Sequence, residues 1–454
     1  MKTLKRLFFL SLSLLLTVAF MSGCGEQEEL GPYMENEGSE SETAPPEPYQ
    51  FKSSELENYV IVYTGENTEY SKLALKLKNQ ISAQYGKKIS TKRDTALEPT
   101  KYEILLGDTN RYDYKAKVME YSVTVDEGKF RINVGGAYSA EAAINYLCES
   151  VFNGQEIVLD NGEYYQKSLL SKPVSVSEGT SARIMSANLL ADKFSDGSFK
   201  GADYRAEFFA GMLLTYSPDV LGLQEADESW SRALDKYLIK LQKAHGVSYS
   251  RHLVEHEGML NYTSILYRSD RLKVESSEVK AFSWWSSSVF NNNHHMRNVG
   301  WTQFSFLDNA EKKFIVANTH WSYRTEHADG KTYLVSGGSP IATNELRIIC
   351  KDETNEILSA LRQTYSNIPI FLTGDFNTSL PFFTQTGWTP SGFKIISEEA
   401  KASGTSLSDV PTANHFDHIF GTGSYTIKRF AFFNDTNQHA LLTDHPFVYA
   451  DLTF

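Results

Sequence analysis

Between Phe51 and Ser177 the rhythm of apolar and polar residues changes every ten to fifteen positions. The runs "YVIVY" (59–63) and "YEILLG" (102–107) are short, apolar and β-prone, so each predicts a strand. "EYSKLALKLKNQISAQYG" sets Leu73, Leu77 and Ile81 on one helical stripe and stops at Gly86. "YSVTVDEGKFRINVGG" alternates on both sides of "DEG", which predicts a hairpin, and "SAEAAINYLCESVF" opens on a capping-type Ser139 before a helical repeat. The order predicts a small α+β domain over 51–177. "SKPVSVSEGTSA" (171–182), rich in Ser with Pro and Gly, marks its end. From 178 to 454 strand-like runs alternate with helical patterns at 204–216 and 344–363, without an internal repeat.

The first fifty residues follow another rule. Lys2, Lys5 and Arg6 precede an apolar run from Leu7 to Phe20 and then "MSGC", the layout of a secretory signal and short for a membrane span. Cys24 behind "MSG" resembles the acylated cysteine of a bacterial lipoprotein, which predicts a signal over 1–24, export, and a lipid anchor in the outward face of the cell membrane. Residues 25–50 hold eight Glu and no Lys or Arg, a self-repelling disordered tether that carries much of the net charge of −12. The 181–454 portion has 25 Lys plus Arg against 30 Asp plus Glu, a net of −5, and lacks the basic block of a tight nucleic-acid binder. Cys148 and Cys350 fall in different predicted domains and read as buried free thiols.

Five apolar runs end or begin at a polar, ligand-capable residue. "RIMSAN" ends at Asn188, "DVLGLQE" at Glu225, "KFIVANTH" at His320 and "IPIFLTGDFN" at Asp375 and Asn377, while in "LTDHPFVYADL" Asp444 and His445 lead the strand. "HFDHIF" adds Asp417 and His418. Strand alternation puts Asn318 with His320, and Asp375 with Asn377, on common faces, so neighbouring strands would gather these groups on one rim. Such a set suits metal-assisted phosphoryl hydrolysis. A hard divalent cation takes one or two carboxylates plus substrate oxygens, and a carboxylate or histidine orients the attacking water.

Taken in order, "SANLL", "GLQE", "NYTSILYR", "RNVGWTQF", "VANTHW", "TGDFN", "FDHIF" and "TDH" resemble the endonuclease/exonuclease/phosphatase superfamily over about 270 residues. The resemblance implies a four-layer α/β sandwich, two packed β-sheets flanked by helices, behind the small α+β accessory domain. It implies Mg²⁺, with Mn²⁺ as a substitute, bound by Glu225 with Asn188 beside it and Asp444 supporting the metal side. Asp375 would hold and activate water, Asn377 would position it, and His445 would face the phosphate, oriented by Asp417. His320 would touch the phosphate or help the leaving group, and Tyr262 would touch the phosphate. Arg297 and Trp301 would support the site. One departure is Asn261, where relatives often carry a glutamate that helps hold the histidine matching His320.

The resemblance implies a phosphohydrolase, in the first instance a phosphodiesterase, acting on nucleic acid, a phospholipid head group or a phosphorylated glycan. "FSWWSSSVF" (282–290) is the one candidate for an apolar docking hairpin, and "NNNHHM" (291–296) reads as a loop beside the site. The accessory domain is weakly similar to modules ahead of carbohydrate-active enzymes. The competing reading is a non-catalytic, glycan-binding surface lipoprotein on the same scaffold.

Overall fold

The computed structural model describes residues 49–454 apart from 66–67, 112–115, 193–198, 257–258, 283–296, 322–342, 382, 384–388, 391, 406, 409–414 and 434–441. The predicted signal with Cys24, nearly all of the tether, all but Phe282 of "FSWWSSSVF", and "NNNHHM" lie outside the described residues. Among the described residues no helix is long and apolar enough to cross a membrane. Residues from Pro48 onward form one compact unit.

Residues 60–168 build a six-stranded mixed sheet in the order Ser90–Arg93, Val60–Tyr63, Glu103–Leu106, Lys129–Val134, Glu120–Asp126, Gly162–Ser168. The predicted hairpin turns at Glu127 and Gly128, whose φ of 50° and 76° match a turn built on left-handed residues. The helix Thr68–Tyr85 buries Leu73, Leu77 and Ile81 against this sheet, and Gly86, at φ 67°, ends it. The second helix, Ala137–Tyr146, departs from expectation at its start. Ser139 lies inside the first turn, not at the cap, and its Oγ accepts from Gly136 N at 3.0 Å. Its own backbone N–H is taken by Glu207 Oε2, 3.0 Å away on the helix Ala202–Tyr216. The carboxylate of a distant segment thus caps this helix. Cys148 and Cys350 are both free; Cys350 is buried, but Cys148 is only partly so.

Residues 182–453 form two further large sheets, beside a short ribbon of Glu255–His256 with Met259–Leu260. One runs Tyr249–His252, Ile265–Arg268, Val220–Gln224, Ala182–Asn188, Val448–Thr453, Thr426–Phe432, Leu407–Ser408; the other runs Leu272–Ala281, Asn298–Phe306, Lys313–His320, Ile370–Asp375, Asp417–Thr422, Lys394–Ile395. Their facing sides enclose an apolar layer that includes Ile184, Val220, Phe304, Phe314, Val316 and Phe371. The helices Ala202–Tyr216 and Glu228–His245 cover the outer face of the first sheet through Phe209, Leu213 and Trp230. Helix Thr343–Thr364 covers the second through Cys350, Leu358 and Leu361. The result is the expected sandwich of helices, sheet, sheet and helix, an α+β fold with a third sheet ahead of it.

Candidate active site

Six strands reach one edge of this sandwich, and each brings a polar group there because its apolar body is fixed in the core. Ala182–Asn188 and Val220–Gln224 are parallel and in register at Asn188 and Gln224, so Glu225 emerges one residue beyond. Lys313–His320 and Ile370–Asp375 are parallel with His320 opposite Asp375, and Asp375 in turn faces Asp417 across an antiparallel pair. Val448 pairs with Ser186, which brings the preceding His445 to the same edge. Glu225 has φ 60° and Asn377 φ 49°, left-handed conformations that a non-glycine residue holds only under local constraint.

Asn188 ties the edges together. Its Nδ2 donates to Asp375 Oδ2 at 3.0 Å and to Glu225 Oε1 at 3.3 Å, while Ala191 N donates to Glu225 Oε2 at 2.9 Å. The His320 Nε2 is 3.1 Å from Asp375 Oδ2, and Asn377 N donates to Asp375 Oδ1 at 2.8 Å. His445 Nδ1 lies 2.8 Å from Asp417 Oδ2, with its Nε2 3.8 Å from Asp375 Oδ2. The second oxygen of Asp417, Oδ1, is buried with no hydrogen-bond partner among the described residues.

Burial and charge set the protonation of these groups. Burial would raise the Asp375 carboxyl, but the adjoining His445 and His320 outweigh it and hold this group well below the usual carboxylate range. Burial would likewise lower His445, yet Asp417, Asp375 and Asp444 surround it and keep the imidazole well above the ordinary histidine value. Desolvation lifts Asp417, against the pull of His445. His320 is lowered by burial and by Arg297, so it is neutral at neutral pH, and its Nε2 carries the hydrogen given to Asp375.

Other expected residues stand further out. Asp444 is exposed, its carboxylate 4.0 Å from His445 Nε2. Tyr262 is half-buried beside Asp227 and Glu228, and its carbonyl accepts from Ala226 N. Arg297 Nη1 donates to the His320 carbonyl at 3.4 Å, whereas Trp301 lies in the core beneath helix Thr343–Thr364, 5.7 Å from the Tyr365 ring. The Asn261 amide bonds Leu253, Thr263 and Asn298, while His320 Nε2 meets Asp375 instead. His418 is buried and pushed down to about 3, chiefly by burial, and its Nε2 meets the Thr378 carbonyl at 3.2 Å beneath the Asn377 loop. Strand alternation does not govern Asn377, because the strand ends at Asp375; its Nδ2 donates to the Trp321 carbonyl at 2.8 Å.

Thr443, Gln224 and Thr373 support the site without having been singled out from the sequence. Thr443 donates to the Asn188 carbonyl at 2.8 Å and accepts from His445 N at 3.2 Å, joining the two loops. Behind the edge, Gln224 Nε2 and Thr373 Oγ1 both donate to Asn318 Oδ1, at 2.6 and 3.1 Å, and the Asn318 amide donates to the Leu223 and Ser264 carbonyls. This fully buried amide cluster links the two sheets. "LQE" and "NTH" contain both amides, and the apolar runs around them were the available signal.

Ligand atoms of Glu225, His320 and Asp375 lie within 4.8 Å of one another. The set fits a hard cation. Its carboxylate oxygens match Mg²⁺, which takes one or two carboxylates and completes its shell with water and phosphate. A closed zinc site would need the His320 nitrogen that Asp375 already engages.

The sequence model of the Endonuclease/Exonuclease/phosphatase family matches residues 185–445. No curated protein matches the chain. Among solved structures, mannosyl-6-phosphatase Bt3783 of Bacteroides thetaiotaomicron VPI-5482 is similar over 60% of this chain and 100% of its own, at 19% identity and a TM-score of 0.45. A humanized D. rerio TDP2 matches over 60% and 99%, at 19% identity and TM-score 0.42. The human Nocturnin catalytic domain, solved with a bound sulfate anion, matches over 60% and 94%, at 16% identity and TM-score 0.43.

Proposed function

Because the chain belongs to the endonuclease/exonuclease/phosphatase family, we propose that it hydrolyses a phosphate ester, in the first instance a phosphodiester, with water as the nucleophile. The observation that carries this reading is the meeting at Asp375 of Asn188, His320 and His445 from both sheets, with Glu225 alongside. A bond forms between the water oxygen and phosphorus, the ester bond breaks, and one water proton ends on the leaving alkoxide.

A divalent cation, magnesium or manganese, would be held by Glu225, with Asn188 beside it and Asp444 on the same rim, and would supply positive charge against the phosphoryl oxygens. Asp375 stays ionised at working pH and orients the water by accepting its hydrogen bond. His320, buried and donating to Asp375, keeps that carboxylate in place, a role closer to its geometry than contact with the leaving group. His445, protonated and oriented by Asp417, offers Nε2–H to a phosphoryl oxygen where charge grows. Asn377 would steady the water or a phosphate oxygen, and Tyr262 would approach the phosphate from the Glu225 side.

The chain is further proposed to divide at about 177/178 into accessory and catalytic domains, a reading supported by their separate sheets. Export and a lipid at Cys24 are proposed on the apolar run and "MSGC" alone. The modest charge of 181–454 favours a small phosphodiester or phosphorylated glycan over tightly bound duplex nucleic acid. The test is a panel: a bis-aryl phosphate, single- and double-stranded DNA, RNA, sphingomyelin, phosphomonoesters and a phosphorylated glycan, each with Mg²⁺ or with EDTA. Cleavage of one class, lost in EDTA, supports the reading and identifies the substrate class. Glycan binding without cleavage of any of them favours the non-catalytic surface protein.

A further inference from the structure

We infer that Arg205 is a positioning residue of the hydrolytic site, holding in one arrangement the loop that follows Asn188 and the loop that carries His445. Arg205 lies on helix Ala202–Tyr216, on the outer side of the sheet, and has no exposed surface. Its Nη1 donates to three backbone carbonyls, Leu189 at 2.8 Å, Leu190 at 2.9 Å and Leu442 at 3.0 Å. Leu189 and Leu190 directly follow Asn188; Leu442 directly precedes Thr443, Asp444 and His445. One buried guanidinium therefore grips both loops from behind.

Each grip leads to a group at the reacting centre. Leu190 is held at φ 54°, and its carbonyl also accepts from Trp230 Nε1 at 3.0 Å; the next residue, Ala191, gives its N–H to Glu225 Oε2. On the other side Leu442 leads into Thr443, whose hydroxyl bridges the Asn188 carbonyl and His445 N. The guanidinium lies over the Trp230 ring, 4.8 Å from its centroid, and Nη2 is 3.4 Å from Asp192 Oδ1, which also accepts from Ala202 N at the start of the same helix. The guanidinium meets the carbonyls through Nη1, Asp192 through Nη2 and the Trp230 ring through its plane; a lysine ammonium has donors for carbonyls but no plane for the ring and no second nitrogen for Asp192. A buried cation is costly unless its hydrogen bonds compensate it, and here most of them go to backbone at the site's edge. Arg205 touches no reacting atom. Its effect runs through the placement of Glu225 and His445, and displacements on the order of 1 Å cost a site about a hundredfold in rate.

The kinetic half of the test rests on the phosphohydrolase reading, and the structural half does not. In the full chain, Arg205→Ala and Arg205→Lys are compared with wild type by hydrogen exchange and by turnover of bis(p-nitrophenyl) phosphate with Mg²⁺. The expected result is an exchange rise of about tenfold or more confined to residues 188–192 and 442–446. Turnover should fall about a hundredfold with KM within about threefold, and millimolar guanidinium should restore part of it to Arg205→Ala but not to Arg205→Lys. If Arg205→Ala does not fold, Arg205→Lys, which keeps the charge, carries the comparison. Wild-type exchange in both loops of the folded variants, or loosened loops with unchanged kcat, overturns the assignment. A wild type inactive on every phosphate ester sinks the functional reading, and the exchange result then decides Arg205 alone.

Discussion

Asp417 Oδ2 stands 2.8 Å from His445 Nδ1, and this contact leaves His445 Nε2 directed toward Asp375. The carboxylate both orients the ring and favours its proton. A group whose pKa is raised in this way is charged below that value and loses its proton as pH rises through it. If catalysis needs the imidazolium, activity should persist past the ordinary histidine value and fall on an alkaline limb. Asp417→Asn removes the strongest charge raising His445, so the limb should move to lower pH and kcat should drop by about 10²–10³. A pH–rate profile of both proteins checks it; superimposable alkaline limbs would count against the assignment.

Gly222 lies where the two sheets touch. A Cβ there would come 2.0 Å from Thr373 Oγ1 and 2.4 Å from Asn318 Oδ1. Both atoms are buried and bonded to each other, so neither can move without losing a partner. Gly222→Ala should destabilise the protein by about 2–4 kcal/mol, through overpacking and broken amide contacts. Urea unfolding followed by tryptophan fluorescence would show it, and a loss below about 0.5 kcal/mol would mean that the sheets adjust freely.

Glu207 joins the 60–168 sheet to the sandwich. Its carboxylate, fully buried, accepts from Met119 N at 3.1 Å and Ser139 N at 3.0 Å. Glu207→Ala leaves two buried N–H groups without acceptors and should cost about 2–4 kcal/mol. The chain should also become open to limited proteolysis between residues 168 and 182, where the two regions join. Unchanged protease resistance together with unchanged stability would show that this contact does not hold the regions together.

The sequence exposes the site where local pattern and chemistry coincide. Asp375 and His320 end apolar strands, Glu225 and His445 adjoin them, and a continuous apolar run buried on both faces fixes such ends at a sheet edge whatever the loops do. Asn377 marks the limit of that rule, since alternation stops with the strand and a left-handed residue takes its direction from Trp321 instead. Ser139 was legible as a residue near a helix start, but its acceptor is Glu207, 68 positions away. Arg205 carried no signal at all, because its main partners are carbonyls, which every residue possesses. Contacts to backbone leave no trace in side-chain pattern. Third-sheet strands such as Ser90–Arg93, polar and mostly exposed at an edge, lack the apolar run that makes a strand visible.

The most direct measurement is Mg²⁺-dependent turnover of bis(p-nitrophenyl) phosphate by wild type and Asp375→Ala, with the folded state of each checked by thermal unfolding. Asp375 is the meeting point of Asn188, His320 and His445, so the variant should stay folded and lose about a thousandfold or more in kcat, and EDTA should silence the wild type. A folded Asp375→Ala protein that cleaves at near wild-type rate, or wild-type cleavage indifferent to EDTA, would contradict the account.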